Sequence, residues 1–296
     1  MGFSGLFKPQ YLLQPRQLLR RAQWQFGLRP TRRKSVLTPW KLPLIIDTEE
    51  AIGQSIWLQG VYDLLVTEVL WRLTQPGDCA IDVGANFGYT ASIFSARAGR
   101  HGCVYAFEPH PVVYDLLREN TAAWKNIPDV ATVSISPIAV SDRDGDASLH
   151  VPANFKSNRG LSSMQQDRGL GADAVPVKIS RLENVIPRAL GVAVMKVDVE
   201  GHELSVFAGM GALLHSKFVR NIVFEEEHPY PARTHKFLED AGYTIFGLHS
   251  TFRGIRLVAP DSPNRVVNFA PNFIATLDQG RIVSIFSHNG WKCLAA

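Results

Sequence analysis

From about residue 78 onward, short apolar runs of strand length alternate with stretches whose apolar residues recur at helical spacing. Residues 79–83 read as a first strand and 87–97 as a helix. Residues 103–107 read as a second strand and 111–124 as a second helix, with Pro111 suited to its first turn. An extended segment over 130–140 leads into the turn Ser141-Asp142-Arg143-Asp144-Gly145 and a short strand over 147–151. The stretch 152–171 is polar and dotted with glycine, and reads as a long loop over a site. Residues 192–197 form an apolar strand followed by a turn at Glu200-Gly201 and a helix over 203–214. The pattern repeats at 221–224, which ends in Glu225-Glu226-Glu227-His228, and a helix follows over 234–241. Residues 243–248 and 273–277 complete the pattern as an antiparallel edge pair. This order predicts an α/β, doubly wound, mostly parallel sheet covered by helices on both faces.

The N-terminal part has a different character. Tyr11, Leu12, Leu18, Leu19, Ala22 and Phe26 recur at roughly helical intervals among Arg16, Arg20 and Arg21, which predicts a short basic amphipathic helix. Charge sharpens the contrast. Residues 1–46 carry nine basic side chains and no acid, while the remaining 250 carry 22 basic and 27 acidic groups, so the net +4 hides two regions of opposite sign. The expected organisation is a basic arm over 1–55, a main domain over 56–280 and a tail over 281–296. The arm suits an anionic membrane surface or an anionic lipid-linked substrate. It equally suits a helix packed on the main domain with its arginines in solvent. An acidic body and the absence of a nucleic-acid motif argue against nucleic acid as a partner.

Composition adds little beyond exclusions. With 46% apolar and 20% charged residues the chain can bury a core, and no apolar stretch reaches the ~20 residues of a membrane span. Cys79, Cys103 and Cys293 are odd in number and lack metal-ligand spacing, so the expectation is neither a disulfide framework nor a zinc site. With no apolar signal core near the N-terminus, a cytoplasmic location follows, with peripheral membrane contact through the arm.

The candidate chemistry begins where the first predicted strand meets its helix, at Ile81-Asp82-Val83-Gly84-Ala85-Asn86-Phe87-Gly88. Gly84 and Gly88 allow a tight turn and close ligand approach, but the middle glycine of a dinucleotide fingerprint is missing. Asp82, two residues before Gly84, would repel a diphosphate and attract a cation. S-adenosylmethionine, with its ammonium and sulfonium, fits better than NAD. Glu108 ends the second strand 24 positions after Gly84, where a carboxylate can take both ribose hydroxyls. Asp142, in the turn after the third strand, can accept from an adenine amino group.

Three blocks carry a family resemblance: Ile81-Asp82-Val83-Gly84-Ala85-Asn86, then Phe107-Glu108-Pro109, then Met195-Lys196-Val197-Asp198-Val199-Glu200-Gly201-His202-Glu203. In this order they resemble the FkbM-type S-adenosylmethionine-dependent methyltransferases, over about residues 57–248. The resemblance implies a Rossmann-like class I methyltransferase fold with seven strands, the C-terminal one antiparallel. It also implies O-methylation of a hydroxyl on a sugar, glycolipid or polyketide-like acceptor, and places Gly60-Val61-Tyr62 on the upstream wall of the cofactor site. Glu183 stands where the family often has the aspartate of a Leu-Asp pair.

Ligands of open α/β sheets bind beyond the carboxyl ends of the strands, where Asp198, Glu200, His202, Glu203, Glu225 and Glu226 fall. Methyl transfer needs an oriented acceptor and a base for its proton. His202 is the base candidate by ordinary pKa, Asp198 by position, and Glu225 by following an apolar strand. The expected cofactor-binding set is therefore Asp82, Gly84, Asn86, Gly88, Glu108 and Asp142. Lys196, inside an apolar strand, calls for a carboxylate partner. Converging carboxylates could also hold a divalent cation such as Mg²⁺, but their spacing is not diagnostic and no metal ligand is assigned. Ser162 and Ser163 are placed in a loop closing over the acceptor. Two rival readings remain, a nicotinamide-dependent oxidoreductase and a non-catalytic nucleotide-binding docking protein.

Overall fold

In a computed structural model, the described residues are 8–151, 155, 162–164, 173–187, 191–262 and 272–296. The N-terminal part begins with α1 (Pro9–Leu13) and α2 (Arg16–Gln25), which are separate helices. Pro15 lacks the N–H needed to carry one helix through this point, so the single helix expected over this stretch is broken there. A hairpin of β1 (Arg33–Leu37) and β2 (Pro43–Asp47) follows, then α3 (Ala51–Gln59) and α4 (Leu64–Leu73). Glu50 caps α3 by accepting from the Gly53 N–H, and Asp63 caps α4 by accepting from the Val66 N–H.

The alternating body then runs β3 (Cys79–Val83), α5 (Tyr89–Ala98), β4 (Cys103–Phe107), α6 (Pro111–Trp124) and β5 (Thr132–Ser136). Next come β6 (Ile138–Val140), β7 (Gly145–His150), β8 (Ala174–Ser180) and α7 (Leu182–Val185). The second half contains β9 (Val192–Val197), α8 (Glu203–Ala208), α9 (Ala212–His215), β10 (Val219–Glu225) and α10 (Arg233–Asp240). It closes with β11 (Thr244–Thr251), β12 (Gly254–Val258), β13 (Asn272–Thr276) and α11 (Gln279–Phe286).

The main sheet has the order β12-β11-β13-β10-β9-β3-β4-β5. Strands β10, β9, β3, β4 and β5 pair in parallel, and β13 runs antiparallel between β10 and β11. This is a class I methyltransferase-like α/β fold. The sheet has eight strands rather than the expected seven, because β11 turns back into β12 as an edge hairpin. Strands β3 and β9 are buried along their whole length, which is why their sequences are unbroken apolar runs around Asp82 and Lys196. Alternate residues feed two cores: Ala80 and Val194 pack on one face with α4 and α5, Ile81 and Met195 on the other with α8 and α10.

A second, three-stranded sheet of order β6-β8-β7 has its own small core of Ala139, Leu149, Val177 and Ile179. The helix expected over 203–214 is two helices. A Cβ at Gly209 would lie 1.8 Å from the Ser141 carbonyl oxygen, so the chain passes there only as glycine. Cys79 and Cys103 pair in register at the start of β3 and β4 and are joined by a disulfide, with Cα atoms 4.6 Å apart. That overturns the expectation of no disulfide and removes the cysteine argument for a reducing compartment.

The C-terminal stretch is pinned to α4. Arg72 and Glu68 form a buried ion pair at 2.6 Å. Arg72 also donates to the carbonyls of Ile285, His288 and Gly290, while Glu68 accepts the N–H groups of Lys292 and Cys293. Ile282 and Cys293 are fully buried beside it. Among the described residues, no helix is long and apolar enough to cross a membrane.

Candidate functional site

The sheet order reverses between β3 and β9, and at the carboxyl ends of these strands a cavity of about 950 Å³ opens. Its floor is stitched from three strand ends. The Gly84 and Ala85 N–H groups donate to the Phe107 carbonyl at 3.0 and 2.9 Å, and the Asp198 N–H donates to the Val83 carbonyl at 3.0 Å. Gly84 has φ +81°, and a Cβ there would fall 1.9 Å from the Asp198 carbonyl oxygen. Glycine is therefore required twice over, by conformation and by the close passage of β9. Asn86 is also left-handed, and its side-chain oxygen accepts from the Phe87 N–H. Gly88, φ +96°, starts α5 but, unlike Gly84 and Asn86, is not among the cavity-lining residues; a Cβ there would meet Leu117 and Trp124.

Glu108 lines the cavity from the end of β4. One carboxylate oxygen accepts the Asn86 N–H and the other the His110 N–H, both at 2.9 Å. Burial nevertheless pushes its pKa up to about 7, against the lowering effect of those two bonds. Asp82 is placed differently from the expectation. It is fully buried within β3 and is not among the cavity-lining residues. Burial raises it to about 7, with Lys196 opposing and Asp198 adding to the rise. Asp142 also lies outside the cavity lining and contacts Ser141 and Arg143 instead.

On the β9–β10 side, Lys196, Asp198, Glu200, His202 and Glu225 all line the cavity. The Lys196 ammonium stands 2.5 Å from Asp198. Burial disfavours its charge, but Asp198 and Asp82 more than offset that and leave its pKa raised. Glu225 is pushed up to about 8, first by burial and then by Asp198 and Glu200. His202 exchanges a hydrogen bond with the Ser141 hydroxyl through Nε2 at 2.9 Å, and burial holds its pKa below the usual imidazole value. Glu203 accepts the Gly201 N–H and supports the turn rather than the cavity. Glu226 accepts from Thr234 and His228, and Glu183 accepts the Ala212 N–H and pairs with Arg181; neither lines the cavity.

Ser162 lines the cavity with its hydroxyl buried and unpartnered among the described residues, while Ser163 donates to the Glu200 carbonyl. The rest of the loop expected over 152–171, apart from Phe155 and Met164, lies outside the described residues. The wall also contains residues that sequence reasoning did not single out: Ser250 from β11 and Asn272 from β13. They follow no motif, since β11 and β13 reach the cavity only through the antiparallel insertion. Tyr62, read only through resemblance as part of the upstream wall, does line the cavity. Its N–H donates to the Tyr89 hydroxyl, which also shares a hydrogen bond with Thr67. Among the described residues no group of three His, Cys, Asp or Glu side chains is placed to hold a metal ion.

The model of the methyltransferase FkbM domain matches residues 82–245, more than half of the chain and a span that includes the strand ends from β3 to β10 at the cavity. A hexuronic acid methyltransferase, AglP of Haloferax volcanii, is 31% identical over 181 residues, covering 59% of this chain and 67% of that protein. The methyltransferase sdnD of Sordaria araneosa is 29% identical over 195 residues, covering 56% of this chain and 73% of that protein. Among solved structures, an FkbM methyltransferase from Methylobacillus flagellatus superposes with a TM-score of 0.44 at 13% identity. That likeness covers 86% of this chain and 65% of the other, just under two thirds of its length.

Proposed function

This chain belongs to the FkbM methyltransferase family, and from that membership we propose that it methylates a hydroxyl group on a sugar, glycolipid or polyketide-like acceptor, with S-adenosylmethionine as donor. The observation that carries the reading is the pairing of Glu108 and Glu225 across one cavity, on opposite sides of the β3–β9 reversal. The relative AglP, a hexuronic acid methyltransferase, supports a sugar as acceptor.

The residues present fit a cationic nucleoside. Glu108, Asp198, Glu200, Glu225 and Glu227 line the cavity against Lys8 and Lys196; burial first, and acidic neighbours after it, raise Glu108 and Glu225, and an incoming cation would oppose that rise. When bound, S-adenosylmethionine supplies a methyl group already activated by its sulfonium. Glu108 would hold the ribose hydroxyls, and the turn from Gly84 to Phe87 would carry the rest of the nucleoside against the end of β3. Glu225 would take the proton that the acceptor hydroxyl loses, its pKa near 8 being close to the working pH that favours a general base. Asp198 fixes Lys196, and His202 is held by Ser141 at the cavity edge, so both shape the acceptor side.

The test is to incubate the chain with labelled methyl donor and sugar or glycolipid fractions, beside titrations with S-adenosylmethionine and NAD. Label recovered as an O-methyl ether of the acceptor supports the reading. Binding of NAD alone, or donor binding without turnover, would favour the oxidoreductase or the non-catalytic alternative. In the same titration Glu108→Gln should weaken donor binding by ~10–100-fold, the scale of two lost hydrogen bonds to a charged group. Affinity of the parent should rise with pH through about 7 as Glu108 ionises, and the variant should lose that dependence.

A further inference from the structure

Helix α2 is built the wrong way round for a helix that only packs on its own protein. Gln17 and Arg20 face inward: Gln17 is buried, and Arg20 stacks on the Trp57 ring at 4.2 Å and donates to its backbone carbonyl; Trp24 is half-buried, with Arg29 stacked on its ring. Leu18, Leu19, Ala22 and Phe26 share the opposite face by their 3–4-residue spacing. Leu19 is 67% exposed and Phe26 84% exposed. Leu12 and Leu13 on α1 and Leu28 after α2 are exposed as well. A stripe of leucine and phenylalanine turned outward has a use only against an apolar surface.

Charge selects the occupant. Residues 1–46 hold nine basic groups and no acid, and Lys8, Arg16 and Arg29 make no ion pair among the described residues. We infer that α1 and α2 form a docking surface for an anionic phospholipid bilayer, with the leucines and Phe26 inserted among the acyl chains and the basic groups at the headgroups. Lys8 also lines the cavity, so docking by this face sets the cavity mouth at the membrane surface.

The experiment is co-sedimentation of the full chain with mixed phosphatidylcholine–phosphatidylglycerol vesicles and with pure phosphatidylcholine vesicles. The expected result is binding to the mixed vesicles that weakens with salt and is far lower on the neutral ones. The double variant Leu19→Gln/Phe26→Gln should bind at least ~10-fold more weakly, from the apolar burial it forfeits. Arg16→Gln/Arg29→Gln should bind the mixed vesicles more weakly at low salt and show a shallower salt dependence than the parent. All four side chains are at the surface, so melting temperatures should match the parent and separate lost docking from lost folding. Equal binding by parent and leucine–phenylalanine variant overturns the inference. So does a parent that ignores vesicles but self-associates through this face, detected as a size-exclusion shift abolished by the same double variant.

Discussion

Replacing Glu225 by glutamine should lower turnover by ~10²–10³-fold while leaving donor affinity unchanged, the scale of a lost general base. The substitution keeps the volume at the end of β10 and removes only the ability to take a proton. In the parent the rate should climb with pH to a plateau above about 8, because the carboxyl must ionise against burial and the neighbouring Asp198 and Glu200. The variant should show that limb flattened. A second readout has the opposite sense. The raised folded-state pKa means that the folded chain holds a proton the unfolded chain releases between the ordinary glutamate range and about pH 8. Stability from this group is therefore present at low pH and lost as pH rises through that window. Glu225→Gln should be more stable than the parent above pH 8 and nearly equal to it near pH 4, measured by thermal melting. Undiminished turnover of the variant at every pH would remove Glu225 from the reaction.

Arg72→Ala should destabilise the chain by ~3–5 kcal/mol, the cost of leaving a buried charge without its partner. Glu68 would remain at 0% exposure, and three backbone carbonyls of the C-terminal stretch would lose the guanidinium that binds them. The loss should be local before it is global: hydrogen exchange should accelerate first over residues 285–294, ahead of β3 and β9. Denaturant melts give the total, and exchange by residue gives the order. Uniform acceleration across the sheet would show that the staple is part of the main core and not a clasp on its edge.

The central strands were legible because burial on both faces leaves a continuous apolar run. The bounds of β3, β4, β9 and α6 coincide with those read from the sequence. Glu108 and the β9–β10 carboxylates were legible for a related reason, since strand ends of an open sheet point to one crevice wherever the strands themselves can be located. What could not be read depends on neighbours distant in sequence. Gly209 interrupts a helix because Ser141 passes against it, and Cys79 meets Cys103 only through the register of β3 with β4. Asp82 precedes the glycine turn as a cofactor ligand would, yet the pleat of β3 puts its carboxyl inside the sheet rather than in the cavity. The amphipathic spacing near the N-terminus was visible, but spacing does not say which face looks outward.

The small sheet β6-β8-β7 supplies one wall of the chamber through Ile138, Ala139, Val140 and Leu149, and it has a core of its own. The cradle at Gly84 and the acids at the ends of β9 and β10 belong to a different, larger body. On the proposed reading, acceptor fit and proton transfer would rest largely on different parts, joined where Val140 enters the main core and Ser141 meets His202. Exchanging residues 145–180 for a foreign version should re-size the chamber at Leu149, Ser162 and Met164 while Glu108 and Glu225 keep their positions.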